Sequence, residues 1–420
     1  MKKKTVKDVD LKGKRVIMRV DFNVPMNAGV VQDDTRIQAA LPTIKYVLDH
    51  GVKSLVLMSH LGDPKKDMAK AKEKAEKSGK PFDEAKYIEG KHKMAPVSAH
   101  LAELLGKPVK LAPDCMSDET KKMVDSLANG EVLMLENTRF HKEETSKEAE
   151  QREKMAKVLA AYGDIYVNDA FGTAHRAHAS TETIAQYLPA VAGFLIEKEL
   201  EFLEDKVVLH PAKPFVAIIG GAKVSSKIAV LESLLDKVDH LIIGGGMAYT
   251  FLKAKGISVG NSLLEEDMID KARDILQKAY ESHVYIYLPI DHIVTKEFAA
   301  DAEAKQVARN AIDDGYMGMD IGPLTIEKYK GALKNAKTIF WNGPMGVFEF
   351  EKFAVGTNAI ANTLAQLTDA IKVIGGGDSV SAVNKAGVAD KMDHISTGGG
   401  ASLELVEGKV LPGIAALNDA

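Results

Sequence analysis

Short apolar runs that end in glycine or in polar residues recur along the whole chain, with amphipathic stretches of helical length between them. The runs begin at Arg15, Lys53, Glu131, Asp164, Phe215, His240, Val284, Thr338 and Ile371. Continuous apolar runs of this length are typical of parallel strands that are buried on both faces. Strands that alternate with helices predict βαβ units with right-handed crossovers. The predicted fold class is therefore α/β, built from doubly wound, Rossmann-like parallel sheets.

The length of the chain predicts two such domains. A chain of 420 residues exceeds the usual size of one compact core, which is about 100 to 200 residues. The stretch from Ile196 to Val207 is charged and amphipathic and contains no Gly or Pro, so it is predicted to be one exposed helix that joins the domains. The predicted ranges are 1–190 for the first domain, 191–207 for the joining hinge helix, 208–405 for the second domain and 406–420 for a C-terminal segment.

A lysine- and alanine-rich stretch from Lys65 to Lys93 interrupts the pattern in the first half. It is broken by Ser78, Gly79 and Pro81. Its composition predicts a solvated helical excursion that contributes little to a core.

Charge and cysteine content bear on partners and compartment. Lys and Arg number 55 against 59 Asp and Glu, so the net charge of -4 gives no overall attraction to nucleic acid or to anionic lipid. No apolar stretch is long enough to span a membrane, and the lysines at 2–4 are not followed by the apolar run of a signal peptide. Cys115 is the single cysteine, which fits a reducing compartment and a packing role. We expect a cytoplasmic protein without nucleic-acid or membrane partners.

Basic and polar residues follow several predicted strands in the first half: Asp21, Asn23, Arg36, His60, Arg139, His175 and Arg176. Because ligands in open parallel sheets bind beyond the carboxyl ends of the strands, we expect these side chains to converge. The planar fork of Arg suits phosphate and carboxylate groups. For any one of these arginines, the alternative interpretation is a surface ion pair. For His60 and His175, the alternative is a structural role.

The second half offers glycines and few cations. GGAKVSSK begins at Gly220 and places Lys223 and Lys227 four residues apart, on one face if a helix has begun there. GGG begins at Gly244, Gly375 and Gly398, at or just after predicted strands. Glycine lets backbone amides approach phosphates, and a helix N-terminus favours anions. A plain turn is the alternative for any one cluster, but together they predict a nucleotide site.

Asp378 and Ser379 directly follow the glycine run at Gly375. A lone carboxylate suits Mg²⁺, which keeps several waters and takes other ligands from phosphates. Helix capping is the alternative role for Asp378, and the two roles are compatible.

Missing motifs restrict the enzyme class. The sequence contains no GxxxxGK[ST] of a P-loop protein and no GxGxxG that opens a βαβ unit. An NAD-dependent dehydrogenase, which shares parallel sheets and glycine-rich turns, is therefore disfavoured and remains the alternative enzyme class. No nucleophile elbow and no cysteine nucleophile suggests covalent catalysis.

Eight strings place these residues in a known pattern, and through them the chain resembles the phosphoglycerate kinase family from end to end. They are RVDFNVP from Arg19, DDTRI from Asp33, LENTRF from Leu135, VNDAFGTAHRAHAS from Val167, GGAKVSSKI from Gly220, WNGPMGVFE from Trp341, GGGDS from Gly375 and STGGGASLE from Ser396. The resemblance implies a magnesium-dependent enzyme that moves a phosphoryl group between 1,3-bisphosphoglycerate and ADP, giving 3-phosphoglycerate and ATP.

The resemblance also implies roles for individual residues. A 3-phosphoglycerate site on the first domain would use Asp21, Asn23, Arg36, His60, Arg139 and Arg176. On the second domain, Lys223 and Lys227 would contact the nucleotide phosphates, Glu349 the ribose, Gly318 and Pro344 the adenosine, Gly376, Gly377 and Ser379 the phosphate path, and Asp378 the Mg²⁺. The last residues, from Leu411, would return to the first domain.

The implied reaction needs no general base, because both reacting oxygens are already ionised at pH 7. Positioning and electrostatics are then the whole catalytic task. Arg36 and Lys223 are the candidates for the transferring group, with amides of Gly376 and Gly399 as further dipoles. Closure of the two domains about the hinge helix would exclude water. We expect a monomer.

One position departs from the family pattern. The family usually has His-Leu-Gly-Arg-Pro where this chain has His60-Leu61-Gly62-Asp63-Pro64, and the excursion that follows is longer than usual. The hypothesis is that the excursion turns Asp63 away from the substrate and pairs it with Lys65 or Lys66. The alternative is an inactive relative that keeps the fold, against which Arg36, Lys223, Lys227 and Asp378 argue.

Overall fold

The chain divides into two compact units. The computed structural model describes residues 2–308 and 312–420; Met1 and residues 309–311, which fall in the predicted ranges 1–190 and 208–405, lie outside the described residues. One unit comprises the chain up to Lys198 together with Val410–Ala420, and the other comprises Glu199–Lys409.

The first unit is built on a parallel sheet. Its strands, with those of a short hairpin, are β1 (Arg15–Val20), β2 (Met26–Asn27), β3 (Val30–Val31), β4 (Ser54–Met58), β5 (Val109–Leu111), β6 (Glu131–Met134), β7 (Ile165–Asp169) and β8 (Ala190–Ala192). The six-stranded sheet has the order β5-β6-β4-β1-β7-β8, and all its pairings are parallel. β2 and β3 form the antiparallel hairpin.

Helices cover this sheet and form the excursion. They are α1 (Thr35–Asp49), α2 (Pro64–Lys77), α3 (Glu84–Lys91), α4 (Ala95–Leu105), α5 (Asp118–Asp125), α6 (Ala149–Ala160) and α7 (Phe194–Glu199). The predicted helical excursion consists of α2 and α3. α2 buries only its first residue, Pro64, and α3 buries none, so both helices are solvated as predicted, whereas His92, just after α3, is buried.

The second unit repeats the architecture. Its strands are β9 (Phe215–Ile219), β10 (His240–Ile243), β11 (Tyr285–Tyr287), β12 (Asp291–Thr295), β13 (Lys305–Ala308), β14 (Met317–Ile321), β15 (Thr338–Asn342), β16 (Ile371–Gly375) and β17 (His394–Ile395). Six of them form a parallel sheet in the order β11-β10-β9-β15-β16-β17. β12 pairs antiparallel with β13 and with β14 in a second, three-stranded sheet.

The helices of this unit follow its strands, and one further helix belongs to the first unit. They are α8 (Ile228–Leu235), α9 (Met247–Ala254), α10 (Ile269–Glu281), α11 (Pro323–Leu333), α12 (Val355–Gln366), α13 (Gly377–Lys385), α14 (Gly400–Val406) and, in the first unit, α15 (Pro412–Ala415). Among residues 2–308 and 312–420, no helix combines the length and the apolar character needed to cross a bilayer.

The C-terminal segment is held in the first unit by the start of the chain. The buried Lys3 ammonium donates to the carbonyls of Ala415 and Leu417 at 3.2 and 2.8 Å and pairs with Asp419 at 2.7 Å. The Asn168 side chain, at the end of β7, donates to the Gly413 carbonyl at 3.1 Å.

The stretch from Ile196 to Val207 is helical, but the prediction that it is an exposed helix is wrong. α7 continues into a π-helix, Leu200–Leu209. Ile196, Glu199, Leu203 and Val207 are buried. Their spacing of three to four residues places them along one side of the helix, so only the opposite side faces solvent.

In each parallel sheet the chain adds strands first on one side of a central strand and then on the other. After β1 the chain builds β4, β5 and β6 on one side and then adds β7 and β8 on the other. In the second sheet it builds β10 and β11 on one side of β9, then β15 to β17 on the other. Such a reversal leaves a crevice beyond the carboxyl ends of the strands, and both candidate sites lie at these ends.

Candidate functional site

Asp21 and Arg36 form an ion pair beyond the end of β1. Arg36 lies in the first turn of α1 and its Nη1 donates to Asp21 Oδ2 at 2.7 Å. The Asp21 side chain is buried, whereas 35% of the Arg36 side chain remains exposed. The pair therefore fixes Arg36 while leaving part of its guanidinium accessible to an anion.

The backbone of Gly62 brings together Asn23 and Arg139. Its N–H donates to Asn23 Oδ1 at 2.7 Å, and its carbonyl accepts from Arg139 Nη1 at 2.9 Å. Gly62 has a φ of +63°, and a Cβ there would lie 2.7 Å from His92 Cε1, so this position requires glycine. Two sequence-predicted site residues are thus anchored on the backbone of one residue.

His60 is buried at the end of β4 and contacts Arg19. Arg19 Nη2 lies 2.8 Å from His60 Nδ1. Because a guanidinium can only donate, Nδ1 accepts and the ring proton sits on Nε2. Burial and then the charges of Arg19, Arg139 and Arg36 hold the pKa of His60 well below its usual value. His60 is therefore neutral, and its Nε2–H remains a hydrogen-bond donor.

Sequence reasoning missed the support beneath this cluster. Arg19 and Glu144 form a fully buried ion pair at 3.1 Å, and Arg19 Nη1 also donates to Thr138 and Ser180. Burial alone would raise the pKa of Glu144, but the charge of Arg19, then that of His178 and two hydrogen bonds from Ser180, outweigh it and lower the pKa. A charged residue inside the apolar run RVIMRV was the available signal for Arg19.

Arg176 stands apart from the buried part of the cluster. Its side chain is exposed, in the turn that follows a 3₁₀-helix at Phe171–Thr173. Burial, opposed by Glu144 and reinforced by the charges of Arg19, Arg139 and Arg176, lowers the pKa of His178 to about 4. Arg176 therefore contributes to the positive potential there.

Asp63 is engaged by the backbone of the excursion. Its carboxylate caps α2 by accepting from the Lys66 N–H at 3.2 Å, and its own N–H donates to Asp67 Oδ2 at 2.9 Å. The hypothesised partner was the ammonium of Lys65 or Lys66; the observed partner is the Lys66 amide. A helix N-cap favours this arrangement. The Asp63 charge still acts on Arg139: burial and Arg19 lower the pKa of Arg139, and Asp63 opposes them.

A cleft of about 640 Å³ lies in the second unit and brings together four residues predicted for the nucleotide: Gly318, Pro344, Glu349 and Asp378. Gly221, Gly245, Gly246 and Gly346 also line it. A Cβ on Gly318 would lie 1.8 Å from the Tyr249 hydroxyl, so no side chain fits there. The cleft is thus formed largely by backbone and apolar groups.

Lys223 and Lys227 do not share a helix face. α8 begins only at Ile228, and both lysines lie in the turns before it. Lys227 is partly buried and its ammonium contacts Asn342 Oδ1; burial lowers its pKa, and Asp378 opposes this. Lys223 is exposed. The two lysines are four residues apart, but they would share a face only if a helix had begun before them, and it has not.

The segment Gly376–Ser379 opens α13 beyond the end of β16. Gly376 is the N-cap residue with a φ of +84°, and a Cβ there would lie 2.8 Å from Asn342 Nδ2. The buried Ser379 hydroxyl accepts from the Gly343 N–H at 2.5 Å. Gly377 and Asp378 are exposed in the first turn, where the helix dipole favours an anion. Asp378 follows the cap position, so capping does not account for it.

Within residues 2–308 and 312–420, no group of three or more His, Cys, Asp or Glu could hold a metal ion alone. Asp378 is thus a single carboxylate beside a glycine-rich helix N-terminus. That donor set fits Mg²⁺ that takes its remaining ligands from phosphates and water.

A larger cleft, of about 1150 Å³, lies in the first unit beside α3. Lys93 and Glu136, which line it, form an ion pair at 3.3 Å. None of the sequence-predicted site residues lines this cleft, so its size does not make it the candidate site.

Known proteins resemble this chain over its full length. The family model described as phosphoglycerate kinase matches residues 6–409. The phosphoglycerate kinase of Treponema pallidum (strain Nichols) is 54% identical over 417 residues, 99% of each chain. The cytosolic phosphoglycerate kinase of Triticum aestivum is 54% identical over 99% of this chain and 98% of that one. The structure of phosphoglycerate kinase from Coxiella burnetii has a TM-score of 0.83 and 39% identity over 99% of this chain and 98% of that one.

Proposed function

Because the chain belongs to the phosphoglycerate kinase family, we propose that its two units divide the substrates, the glycerate to the first and the nucleotide to the second. The enzyme is a transferase of glycolysis that moves a phosphoryl group reversibly between 1,3-bisphosphoglycerate and ADP, giving 3-phosphoglycerate and ATP. The assignment of each substrate to a unit rests on the contacts below.

The observation that carries the glycerate assignment is the crowding of guanidinium groups around His60. Arg19, Arg36 and Arg139 all depress the pKa of this ring. Positive charges held this close repel one another, and a triply anionic 3-phosphoglycerate would relieve that repulsion. Arg36 and Arg139 would bind its charged groups, with His60, Asn23, Asp21 and Arg176 around them.

The nucleotide assignment is supported by the cleft of the second unit. Gly318 and Pro344 would contact the adenosine and Glu349 the ribose, and all three line the cleft with Asp378. Lys223 and Lys227 would contact the phosphates, with the amides of Gly376 and Gly377 and the Ser379 position along the phosphate path. Asp378 would hold Mg²⁺, which neutralises phosphate charge when bound.

The proposed chemistry needs positioning rather than proton transfer. His60 is a poor base because Arg19 occupies its Nδ1, and because burial and then the neighbouring charges lower its pKa. The carboxylate of the glycerate and the terminal phosphate of ADP are ionised at pH 7, so neither needs a base. Arg36 and Lys223 would stabilise the charge of the transferring group, with amides at Gly376 and Gly399 as fixed dipoles. The segment 191–207 would act as the hinge for closure.

We also propose that the enzyme works as a monomer in the cytoplasm. The wheat relative, 54% identical, is named as the cytosolic form. The proposed substrates of the enzyme are small molecules, so the reaction requires neither a nucleic acid nor a membrane partner.

Lys223→Ala tests the catalytic assignment in a coupled assay of ATP formation from 1,3-bisphosphoglycerate and ADP. We expect kcat to fall about 100-fold or more while nucleotide affinity changes less, because the ammonium matters most when charge is in transit. Lys255→Ala, at an exposed lysine after α9, is the matched control and should keep full activity. Equal losses of affinity and rate in Lys223→Ala would contradict the role.

A further inference from the structure

The Leu61–Gly62 turn anchors two residues that are proposed to bind the glycerate. The Gly62 carbonyl accepts from Arg139, and the Gly62 N–H donates to Asn23. This turn directly precedes Asp63, where the chain departs from the family pattern. What fixes the turn therefore bears on how the site works without the usual arginine.

Asn137 holds the turn from beneath with all of its hydrogen-bonding capacity. Its buried Nδ2 donates to the Leu61 carbonyl at 2.8 Å and to the His92 carbonyl at 2.9 Å. Its Oδ1 accepts from the Leu61 N–H at 3.2 Å and from the Arg139 N–H at 3.1 Å. One side chain thus ties the turn, the backbone of Arg139 and the end of the excursion together.

His92, from the excursion (residues 65–93), holds the turn from the side. Its ring is buried, with Nδ1 3.0 Å from the Leu61 carbonyl. A carbonyl can only accept, so Nδ1 carries the proton and donates. The same ring abuts Gly62, since a Cβ there would lie 2.7 Å from His92 Cε1. Its Nε2 lies 4.0 Å from Asp67 Oδ2, the atom that accepts the Asp63 N–H.

We propose that His92 and Asn137 are positioning residues for the glycerate site, which hold the Leu61–Gly62 turn so that the Gly62 N–H orients Asn23 and the Gly62 carbonyl orients Arg139. The excursion then contributes rigidity in place of the missing cation. The inference rests on the proposed function, since it assumes that Arg139 binds the glycerate. Neither residue touches the substrate: His92 acts through the Leu61–Gly62 turn, and Asn137 acts through this turn and through the Arg139 backbone N–H.

Two substitutions of His92 separate positioning from mere stability. His92→Leu removes the donor to Leu61, and we expect the KM for 3-phosphoglycerate to rise at least about fivefold while kcat and the KM for ATP stay within about twofold. His92→Asn keeps an N–H near the Nδ1 position and should restore the glycerate KM to within about twofold of the parent. His50→Leu is the matched control: its Nδ1 contacts the Tyr46 carbonyl at 2.8 Å, at the opposite end of α1 from Arg36.

A double substitution tests whether His92 acts through Arg139. If it does, the glycerate KM of Arg139→Ala with His92→Leu should rise by less than the product of the single effects. Three results would overturn this inference while leaving the proposed function intact. They are a glycerate KM in the double variant that equals the product of the single effects, an unchanged glycerate KM in His92→Leu, and an equal fall of kcat in His92→Leu and His92→Asn. An unchanged KM in Arg139→Ala would remove the proposed glycerate site as well.

Discussion

Each unit buries a carboxyl group beside its candidate site, and the two behave in opposite ways. Glu144, in the first unit, lies against Arg19, and its pKa is lowered despite complete burial. Asp320, in the second, accepts only backbone amides, from Gly356 at 2.7 Å and Ile321 at 2.8 Å, and burial raises its pKa to about 7. The cation that shares the site of Glu144 outweighs burial, whereas the two amide donors at Asp320 do not.

The same contrast extends to the candidate sites above these carboxyls. The first unit presents guanidinium groups on a charged, buried support, whereas the second presents glycine amides and a glycine-lined cleft in which Gly318 has no room for a Cβ. Both are placed beyond the carboxyl ends of a six-stranded parallel sheet. Two domains of one architecture therefore offer two ways to bind anions, one through side-chain charge and one through backbone dipoles.

Breaking the buried pair of the first unit should have the largest effect. Arg19→Leu leaves Glu144 without its cation, and we expect the free energy of unfolding to fall by about 3 to 5 kcal/mol. Arg15→Leu is the matched control, because Arg15 pairs with Asp164 at 2.8 Å with both side chains more than a third exposed; its loss should stay below about 1 kcal/mol. Urea unfolding of both variants measures the difference, and equal losses would contradict the contrast.

The raised pKa of Asp320 predicts a pH effect in the second unit. The folded protein keeps this proton up to about pH 7, whereas the unfolded chain releases it near 3.8, so the folded state binds more protons in this window and loses stability as the pH rises through it. Asp320→Asn cannot release a proton. Relative to this variant, the parent should lose up to about 1.4 kcal/mol per pH unit between pH 5 and 7, and little more above pH 8.

The readout of that experiment is the slope of the free energy of unfolding against pH, and a constant difference between the two proteins carries no information. Asp301→Asn, at an exposed carboxyl, is the control and should run parallel to the parent. A parallel curve for Asp320→Asn as well would show that Asp320 is ionised throughout, and that it does not differ from Glu144 in this respect.

Asp63→Arg should have the smallest effect. The Asp63 carboxylate caps α2 and is not aligned as a substrate ligand, so we expect the KM for 3-phosphoglycerate to change by less than about threefold, well under the tenfold that 1.4 kcal/mol represents. Loss of the cap should lower stability by about 1 kcal/mol. Steady-state kinetics decides the point: a KM lowered tenfold or more would mean that Asp63 faces the site and weakens it.

Most of the fold could be predicted from the sequence because its main strands are buried on both faces. All nine apolar runs contain strands of the two parallel sheets. The strands that were missed are short: β5 and β8 have three residues each and β17 has two, too few to show a period. The antiparallel sheet of β12 to β14 was also missed, and the run from Val284 was interpreted as a single strand although its end begins β12.

The candidate site was predictable at strand ends and in the strings shared with the family, and less so where contacts are long-range. Glu144 follows no predicted strand, and nothing local indicates that it meets Arg19, 125 positions earlier in the chain. A shared helix face for Lys223 and Lys227 required a helix to have begun before them, and α8 begins only after them. Asn137 lies within LENTRF, but three of its four side-chain hydrogen bonds reach across to Leu61 and His92, and no sequence pattern encodes that convergence.

Equilibrium binding tests the division of substrates between the units most directly. Calorimetric titrations with 3-phosphoglycerate and with ADP plus Mg²⁺ would be compared for the parent, Arg139→Ala and Asp378→Ala. We expect Arg139→Ala to weaken glycerate binding about tenfold or more, as for loss of a charged hydrogen bond, with nucleotide binding within about twofold. Asp378→Ala should weaken nucleotide binding only when Mg²⁺ is present and leave glycerate binding intact. If either substitution weakens both ligands equally, the division of the substrates between the two units is wrong.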